Sequence, residues 1–270
     1  YLISTGYQLE FNNEILIIGE GDYDTNLDKI SKENLLPMLC LALGLSTKEE
    51  FVRIVLGLPI NQYRSKKDKM IEVIEDNKIL NFKLNGVERT IYIEDAAIFP
   101  EGVATYYSLD VDKRRELIEK DLIVLDIGGR TTDIALLKAG KKRSVAKSTS
   151  LDVGMINIYN DMINEINSLY TLGLNIEDAE GIIKNGLEVD GEKKDTEFIK
   201  DIIRNNIERV FKELNISYPV RTSPILVTGG GGRSFFKSIK RRYPSARMIE
   251  DNLFSNANGY KRVGEKLWID

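Results

Sequence analysis

The feature that most constrains the fold is a pair of glycines between two apolar runs. Residues 122–125 lead into Asp126, Gly128 and Gly129 follow, and a second apolar run covers 134–137. Adjacent glycines let the backbone approach a ligand closely, and successive amides in such a turn form a concavity that binds anions. The pattern predicts strand, glycine turn and strand around a phosphate. A plain β-hairpin with a glycine turn is the alternative.

Three polar residues flank this turn and extend the prediction. Thr131 and Thr132 add hydroxyl donors next to the glycines. Asp126 is suited to a hydrated Mg²⁺, because that ion keeps most of its waters and needs few carboxylates.

A second glycine run, Gly229 to Gly232, joins the apolar strand 225–228 to a helix predicted from Ser234. A helix N-terminus behind a glycine loop binds phosphate or lets a nucleoside lie against the backbone. Four glycines carry a large entropic cost, which favours close approach of a ligand over a merely structural turn. A Rossmann fingerprint does not fit, because no G-x-G-x-x-G lies in an early βαβ unit with an acidic residue about 20 positions later.

Other local patterns complete an α/β prediction, since strands alternate with helices along the chain. Glu101 lies in a Pro-Glu-Gly turn at a strand end, where an exposed turn glutamate is the alternative. The apolar run 51–59 predicts a central strand buried on both faces. Asn12 and Asn13 predict the turn of a strand pair. Gly154 is predicted to begin a long amphipathic helix.

The composition excludes several kinds of chemistry. The chain of 270 residues has no histidine, which removes the usual general base and the commonest zinc ligand. Its single cysteine, Cys40, lies in an apolar run and is predicted to be a buried thiol, which suits a reducing cytosol. No apolar run approaches the ~20 residues that span a bilayer, so we expect no membrane partner.

The net charge of −4 makes direct contact with nucleic acid unfavourable. One basic cluster interrupts the acidic balance, at residues 237–247. It is predicted to be the solvated face of a helix, and a patch for a partner or a phosphate is the alternative.

In combination, these motifs resemble the actin-like ATPase superfamily, which includes actin, DnaK-type chaperones and sugar kinases. Within it, the sequence looks most like the ParM/StbA family of plasmid-segregation actins. The segments that carry the resemblance follow the family's order over nearly the whole chain: 18–24 (IGEGDYD), 56–59 (LGLP), 99–102 (FPEG), 125–133 (LDIGGRTTD), 228–232 (TGGGG) and 254–259 (FSNANG).

The resemblance implies an α/β, ribonuclease H-like duplicated fold of two subdomains that clamp a nucleotide. It implies a phosphate loop with Asp126 orienting Mg²⁺ waters, formed by Gly128, Gly129, Arg130, Thr131 and Thr132. It places Gly154 near the ribose and Glu101 where the family carries the residue that positions the attacking water. It assigns adenosine to the second glycine run, Gly229, Gly230, Gly231 and Gly232.

The resemblance also implies the domain boundaries. Subdomain I is expected to comprise 1–119 with 253–270, and subdomain II 120–252. The last helix, beginning near Asn256, would return to subdomain I. Members of the family begin with another strand–glycine turn–strand, which forms the first phosphate loop, and we expect the sequence as given to lack this hairpin.

We therefore expect a cytoplasmic, filament-forming ATPase that segregates plasmid or other DNA through a DNA-binding adaptor. ATP, with GTP as the alternative nucleotide, and Mg²⁺ are the expected cofactors. Two other functions on the same fold stay open: a non-polymerising nucleotide-binding protein and a small-molecule kinase.

Overall fold

The structure is a computed structural model that describes residues 6–19 and 28–269. Residues 20–24 of the motif predicted at 18–24 lie outside the described residues. The chain folds into two compact units, one of residues 1–58, 62–99 and 263–270 and one of residues 59–61 and 100–262. The subdomain boundaries implied by the resemblance, 1–119 with 253–270 and 120–252, stay a prediction.

The first unit is built on a five-stranded sheet in the order β2-β1-β4-β5-β3. The elements of this part of the chain are β1 (Tyr7–Phe11), β2 (Glu14–Ile18), α1 (Leu35–Ser46), β3 (Phe51–Leu58), α2 (Ile60–Asp76), β4 (Ile79–Leu84) and β5 (Val87–Pro100). The predicted strand pair is confirmed, because β1 and β2 are antiparallel. Asn12 and Asn13 have φ values of 51° and 66°, as a tight hairpin turn requires.

The prediction of a central strand at 51–59 is wrong. Strand β3 lies at the edge of the sheet that the described residues form. Only Ile54 and Leu58 of this strand are buried, whereas Phe51 is exposed and stacks on Tyr92 with ring centroids 5.1 Å apart. An apolar residue on the open face can pack against its neighbour in the sheet, so continuous hydrophobicity does not require burial on both faces.

The core of the first unit confirms the prediction for the cysteine. Cys40 is fully buried with Leu39 and Leu41 of α1, in one cluster with Leu80 and Phe82 of β4. Burial raises the pKa of the Cys40 thiol to about 12. The thiol is therefore protonated at neutral pH and packs as a small apolar group.

The second unit is built on a five-stranded sheet in the order β12-β11-β6-β7-β8. The remaining elements are α3 (Val103–Ser108), α4 (Val111–Leu117), β6 (Leu122–Ile127), β7 (Thr132–Leu137), β8 (Val145–Leu151), α5 (Met155–Tyr170), α6 (Ala179–Asn185), β9 (Leu187–Val189), β10 (Glu192–Lys194), α7 (Phe198–Ser217), β11 (Ile225–Thr228), α8 (Gly232–Arg242), β12 (Arg247–Met248) and α9 (Ser255–Trp268). The α/β prediction is confirmed.

Strands β6 and β11 form the centre of this second sheet. They are parallel, with Ile225 beside Ile123 and Thr228 beside Asp126, and all four residues of β11 are buried. Apolar side chains of α5, α7 and α8 pack in the same core cluster as these strands. Both glycine runs begin where β6 and β11 end, so this core holds them side by side.

The basic cluster lies on the surface, as the sequence predicted. The basic residues of α8 are exposed, and Arg247 pairs with Glu116 at 3.0 Å, so the basic cluster is a solvated face. Within residues 6–19 and 28–269, no helix has both the length and the hydropathy that crossing a membrane requires.

Candidate functional site

The turn between β6 and β7 offers free backbone amides at its tip. The chain reverses over residues 128–131, and the amide of Gly128 donates to the carbonyl of Thr131 at 2.8 Å. The amides of Gly129 and Arg130 donate to no described residue, and Gly129 is exposed. These two amides are therefore available to an anion.

The two predicted threonine donors already have partners in the chain. The hydroxyl of Thr131 donates to Asp133 at 3.3 Å. The buried hydroxyl of Thr132 donates to the carbonyl of Val153 at 2.6 Å, which ties β7 to the segment before α5. Nucleotide contacts from these two residues stay predictions, and the hydroxyl of Thr132 has a structural role.

The N-terminus of α5 supports the glycine turn from behind. The amides of Met155 and Ile156 donate to the carbonyls of Gly128 and Gly129, at 3.2 and 2.6 Å. A Cβ on Gly154 would lie 2.5 Å from the carbonyl carbon of Gly129, so only glycine fits there. Gly154 thus begins the helix as predicted and has a packing reason to be glycine, while its contact with ribose stays a prediction.

The second glycine run lies directly on the end of β6. Gly229 has φ +81°, and a Cβ on it would lie 2.7 Å from the carbonyl carbon of Ile127. The amide of Gly231 donates to the Ile127 carbonyl at 2.9 Å, and Asn252 donates its side-chain amide to the Gly229 carbonyl at 2.6 Å. Gly230 is exposed and its amide donates to no described residue. This loop therefore also presents a free amide.

The fourth glycine of this run belongs to the helix. Helix α8 begins at Gly232, two residues before the predicted start at Ser234, and the Gly232 amide donates to the Gly229 carbonyl at 3.0 Å. The loop between β11 and α8 is thus three residues long, Gly229–Gly231.

One asparagine joins Asp126 to the turn that carries Glu101. The side-chain amide of Asn256 donates to Asp126 Oδ2 at 2.8 Å. Its Oδ1 accepts from the amide of Gly102 at 3.0 Å and from the hydroxyl of Thr105 at 3.2 Å. Asp126 is therefore linked through a single side chain to the turn that carries Glu101.

A buried chain of hydroxyls continues from this asparagine. The hydroxyls of Thr105 and Ser255 are 3.2 Å apart, and that of Ser255 is also hydrogen-bonded to Thr228. Thr228 in turn donates to the carbonyl of Asn252 at 3.1 Å. This chain connects α3, α9 and the end of β11, so the elements around the site are fixed to one another by polar contacts.

Sequence reasoning did not assign roles to Asn252, Ser255 and Asn256. The last two lie in the 254–259 motif, which carried part of the resemblance and marked the start of the last helix. Their partners are far away in sequence, because Asn256 contacts a residue 130 positions earlier. Only the tertiary structure shows that they belong to the site.

We expect Asn256→Ala to lower the free energy of unfolding by about 1–3 kcal/mol, because it leaves the Gly102 amide without its partner and removes a donor from Asp126. Urea denaturation measures this change. Asn258→Ala is the matched control, since Asn258 lies on the same helix and makes an exposed hydrogen bond to Asp251. Its effect should stay within about 0.5 kcal/mol. Equal losses in the two variants would contradict the linking role of Asn256.

The residues around Asp126 fit a magnesium ion that is held mainly by waters and phosphate. Among the described residues there is no group of three or more acidic, cysteine or histidine side chains that could hold a metal ion. A fully protein-coordinated cation is therefore not supported here. Mg²⁺ needs only one or two carboxylates when substrate phosphates supply further ligands, and Asp126 matches that requirement.

Two family models match the chain. Residues 5–103 match "Actin like proteins N terminal domain", and residues 124–241 match "Archaeal actin homologue MreB-like, C-terminal". The chain belongs to the actin-like proteins. The resemblance stated from its motifs is confirmed by both models.

Solved structures of other actin-like proteins share this fold. The archaeal actin homologue Ta0583 has a TM-score of 0.79 at 19% identity, over 98% of this chain and 90% of that one. A 15-stranded ParM filament from Clostridium botulinum has a TM-score of 0.81 at 21% identity, over 98% and 86%. Apo pSK41 ParM has a TM-score of 0.67 at 22% identity, over 98% and 84%. At these identities the likeness establishes the fold alone. No curated protein matches this actin-like chain.

Proposed function

We propose that this actin-like chain binds and hydrolyses ATP with Mg²⁺ and that its nucleotide state controls assembly into filaments. One observation carries the proposal: both glycine turns, Asp126 and the turn of Glu101 converge at the carboxyl ends of β6 and β11. Ligands of open α/β sheets bind beyond the carboxyl ends of the strands.

The backbone would bind most of the nucleotide. The free amides of Gly129 and Arg130 would donate to phosphate oxygens, with Thr131 beside them. The loop Gly229–Gly231 and the N-terminus of α8 would face the nucleoside, because glycine there lets a ligand approach the main chain. GTP stays the alternative nucleotide, since nothing in these contacts reads the base.

The two carboxylates would have different tasks. Asp126 would hold waters of the Mg²⁺ ion, which when bound neutralises charge that develops on the phosphates. Glu101 would hold the attacking water in line with the terminal phosphorus, a task that requires only hydrogen-bond reach. The bond between Asn256 and the Gly102 amide supports this assignment, because it fixes the backbone next to Glu101 relative to Asp126.

Relatives support the nucleotide and the filament. One Ta0583 structure is a complex with ADP, with a TM-score of 0.79 and 21% identity over 96% of this chain and 89% of that one. The ParM structure from Clostridium botulinum is a filament. Head-to-tail contacts that do not close into a ring generate such filaments. If the polymer is more stable with one bound nucleotide than with the other, hydrolysis of that nucleotide would change the stability of the filament.

We further propose that the filaments move plasmid or other DNA through an adaptor. The net charge of −4 supports an adaptor over direct contact, because binding to the phosphate backbone of DNA depends on neutralising it with basic side chains. The exposed basic face of α8 is partly paired with acidic residues, as Arg242 lies 3.9 Å from Glu208.

Light scattering and pelleting of the full-length protein test the proposal, with Mg·ATP, Mg·ADP, ATP plus EDTA and no nucleotide. We expect polymer that forms with Mg·ATP, decays as ATP is consumed, and does not form with EDTA. If the protein binds ATP but forms no polymer in any nucleotide state, the proposal of filament assembly is contradicted, while that of nucleotide binding stands. The absence of ATP binding would contradict the whole proposal.

A further inference from the structure

Helix α9 directs a second polar side chain to the candidate carboxylates. Tyr260 follows Asn256 by four residues, so the two lie on one face of the helix, one turn apart. Asn256 is bonded to Asp126. The position of α9 is fixed, because a Cβ on Gly259 would lie 2.5 Å from the carbonyl carbon of Ala104. The side chain of Tyr260 is therefore held in place by its helix.

The hydroxyl of Tyr260 is buried and has no hydrogen-bond partner among the described residues. Buried hydroxyls normally have one. Other buried tyrosines of this unit follow that rule: Tyr218 donates to the Ile134 carbonyl at 3.1 Å, and Tyr243 donates to Asn215 at 3.1 Å. The unpaired donor of Tyr260 therefore indicates that a group absent from the protein chain completes its hydrogen bonding.

The surroundings of this hydroxyl suit a water, which both accepts and donates hydrogen bonds. Burial first, and then the charges of Glu101 and Asp126, raise the pKa of Tyr260 above its usual value. The tyrosine is therefore a neutral donor, one helical turn from the asparagine that contacts Asp126 and the amide of Gly102. A water between Tyr260 and Glu101 would accept a hydrogen bond from Tyr260 and donate one proton to Glu101. One lone pair of its oxygen would stay free.

We propose that Tyr260 is a catalytic residue that orients the attacking water together with Glu101. This inference rests on the proposed function. The free lone pair forms the bond to the terminal phosphorus, and the bond from that phosphorus to the bridging oxygen breaks, with its electron pair leaving on ADP. One proton of the water passes to Glu101, and Tyr260 keeps its own proton throughout.

Tyr260→Phe tests the assignment, because it removes only the hydroxyl. We expect kcat for ATP hydrolysis to fall about tenfold, the effect of one lost hydrogen bond in the transition state, with KM for ATP unchanged. The affinity for ADP with aluminium fluoride, which mimics the transferring phosphoryl group, should fall by a similar factor, and that for ADP alone should not change.

Urea denaturation and a second variant separate this role from packing. The unfolding midpoint of Tyr260→Phe should not fall below that of the wild type, because the lost hydroxyl has no partner among the described residues. Tyr243→Phe is the matched control: it removes a buried, bonded hydroxyl away from the site, so the midpoint should fall while kcat stays unchanged.

The outcomes distinguish the two proposals. The role of Tyr260 would be overturned if the wild type hydrolyses ATP and Tyr260→Phe has the same kcat and the same affinity for ADP with aluminium fluoride. The proposed function would then still stand. A lower kcat that comes with a lower unfolding midpoint would indicate packing and would also overturn it. A wild-type protein that binds no nucleotide would overturn the proposed function, and this inference with it.

Discussion

Glu101→Gln is expected to lower kcat for ATP hydrolysis about 10²-fold or more, since the amide cannot accept a proton from the attacking water. The KM for ATP should stay within about threefold, because Glu101 is assigned to the water and not to binding the ground state. A coupled assay of phosphate release measures both constants. Glutamine keeps the size of the side chain, so the turn around Gly102 and its bond to Asn256 should persist.

The same substitution should change the lifetime of the polymer. If hydrolysis sets filament decay, filaments of Glu101→Gln form with Mg·ATP and persist where those of the wild type disassemble. Glu119→Gln is the control for the loss of one negative charge, because Glu119 is an exposed residue of the same unit. We expect this variant to hydrolyse ATP and to polymerise as the wild type does. Wild-type hydrolysis by Glu101→Gln would contradict the role given to this carboxylate.

Gly259→Ala is expected to lower the free energy of unfolding by about 3 kcal/mol or more, at the upper end for overpacking. The new Cβ would lie 2.5 Å from the carbonyl carbon and 3.0 Å from the Cα of Ala104. The backbone at Ala104 cannot easily shift to make room, because the neighbouring residue Thr105 is hydrogen-bonded to both Ser255 and Asn256. Relief would require α9 to move away from α3, so the affinity for nucleotide should fall as well.

Urea denaturation measures the effect of Gly259→Ala against Gly181→Ala. Gly181 lies within helix α6, and a Cβ there meets nothing within 4 Å. Alanine is favoured over glycine in a helix, so this control should gain up to about 1 kcal/mol. The two variants make the same chemical change with opposite expected signs. A gain in stability from Gly259→Ala would contradict the close packing of α9 on α3.

The sequence predicted the parts of this fold that are encoded locally. The turn at Gly128 and Gly129 and the helix start after Gly154 depend on neighbours within a few residues, and both are where the pattern indicated. The burial of β3 depends instead on which strands lie beside it. A run of apolar residues carries no information on that order, so the edge position of β3 was not predictable.

The candidate site shows the same limit. Asp126 and Glu101 stand out because each lies at the end of a strand, within two residues of a glycine. Asn256 does not stand out, since its function depends on two partners that the fold brings to it from 130 and 154 positions earlier. Gly154 was found for a different reason than the structure gives, because the contact that excludes a side chain there is with the neighbouring turn.

The hydrogen bonds from Met155 and Ile156 to the glycine turn have a mechanical consequence. The first turn of α5 and the tip of the candidate phosphate loop are joined so closely that they must move as one body. Helix α5 has 16 residues, which corresponds to about 24 Å of rod. Its far end, Tyr170, is bonded to the carbonyl of Asp195. If the loop rotates slightly when a phosphate is lost, α5 would rotate with it. The displacement would then be larger at the far end of the helix, on the surface around Tyr170.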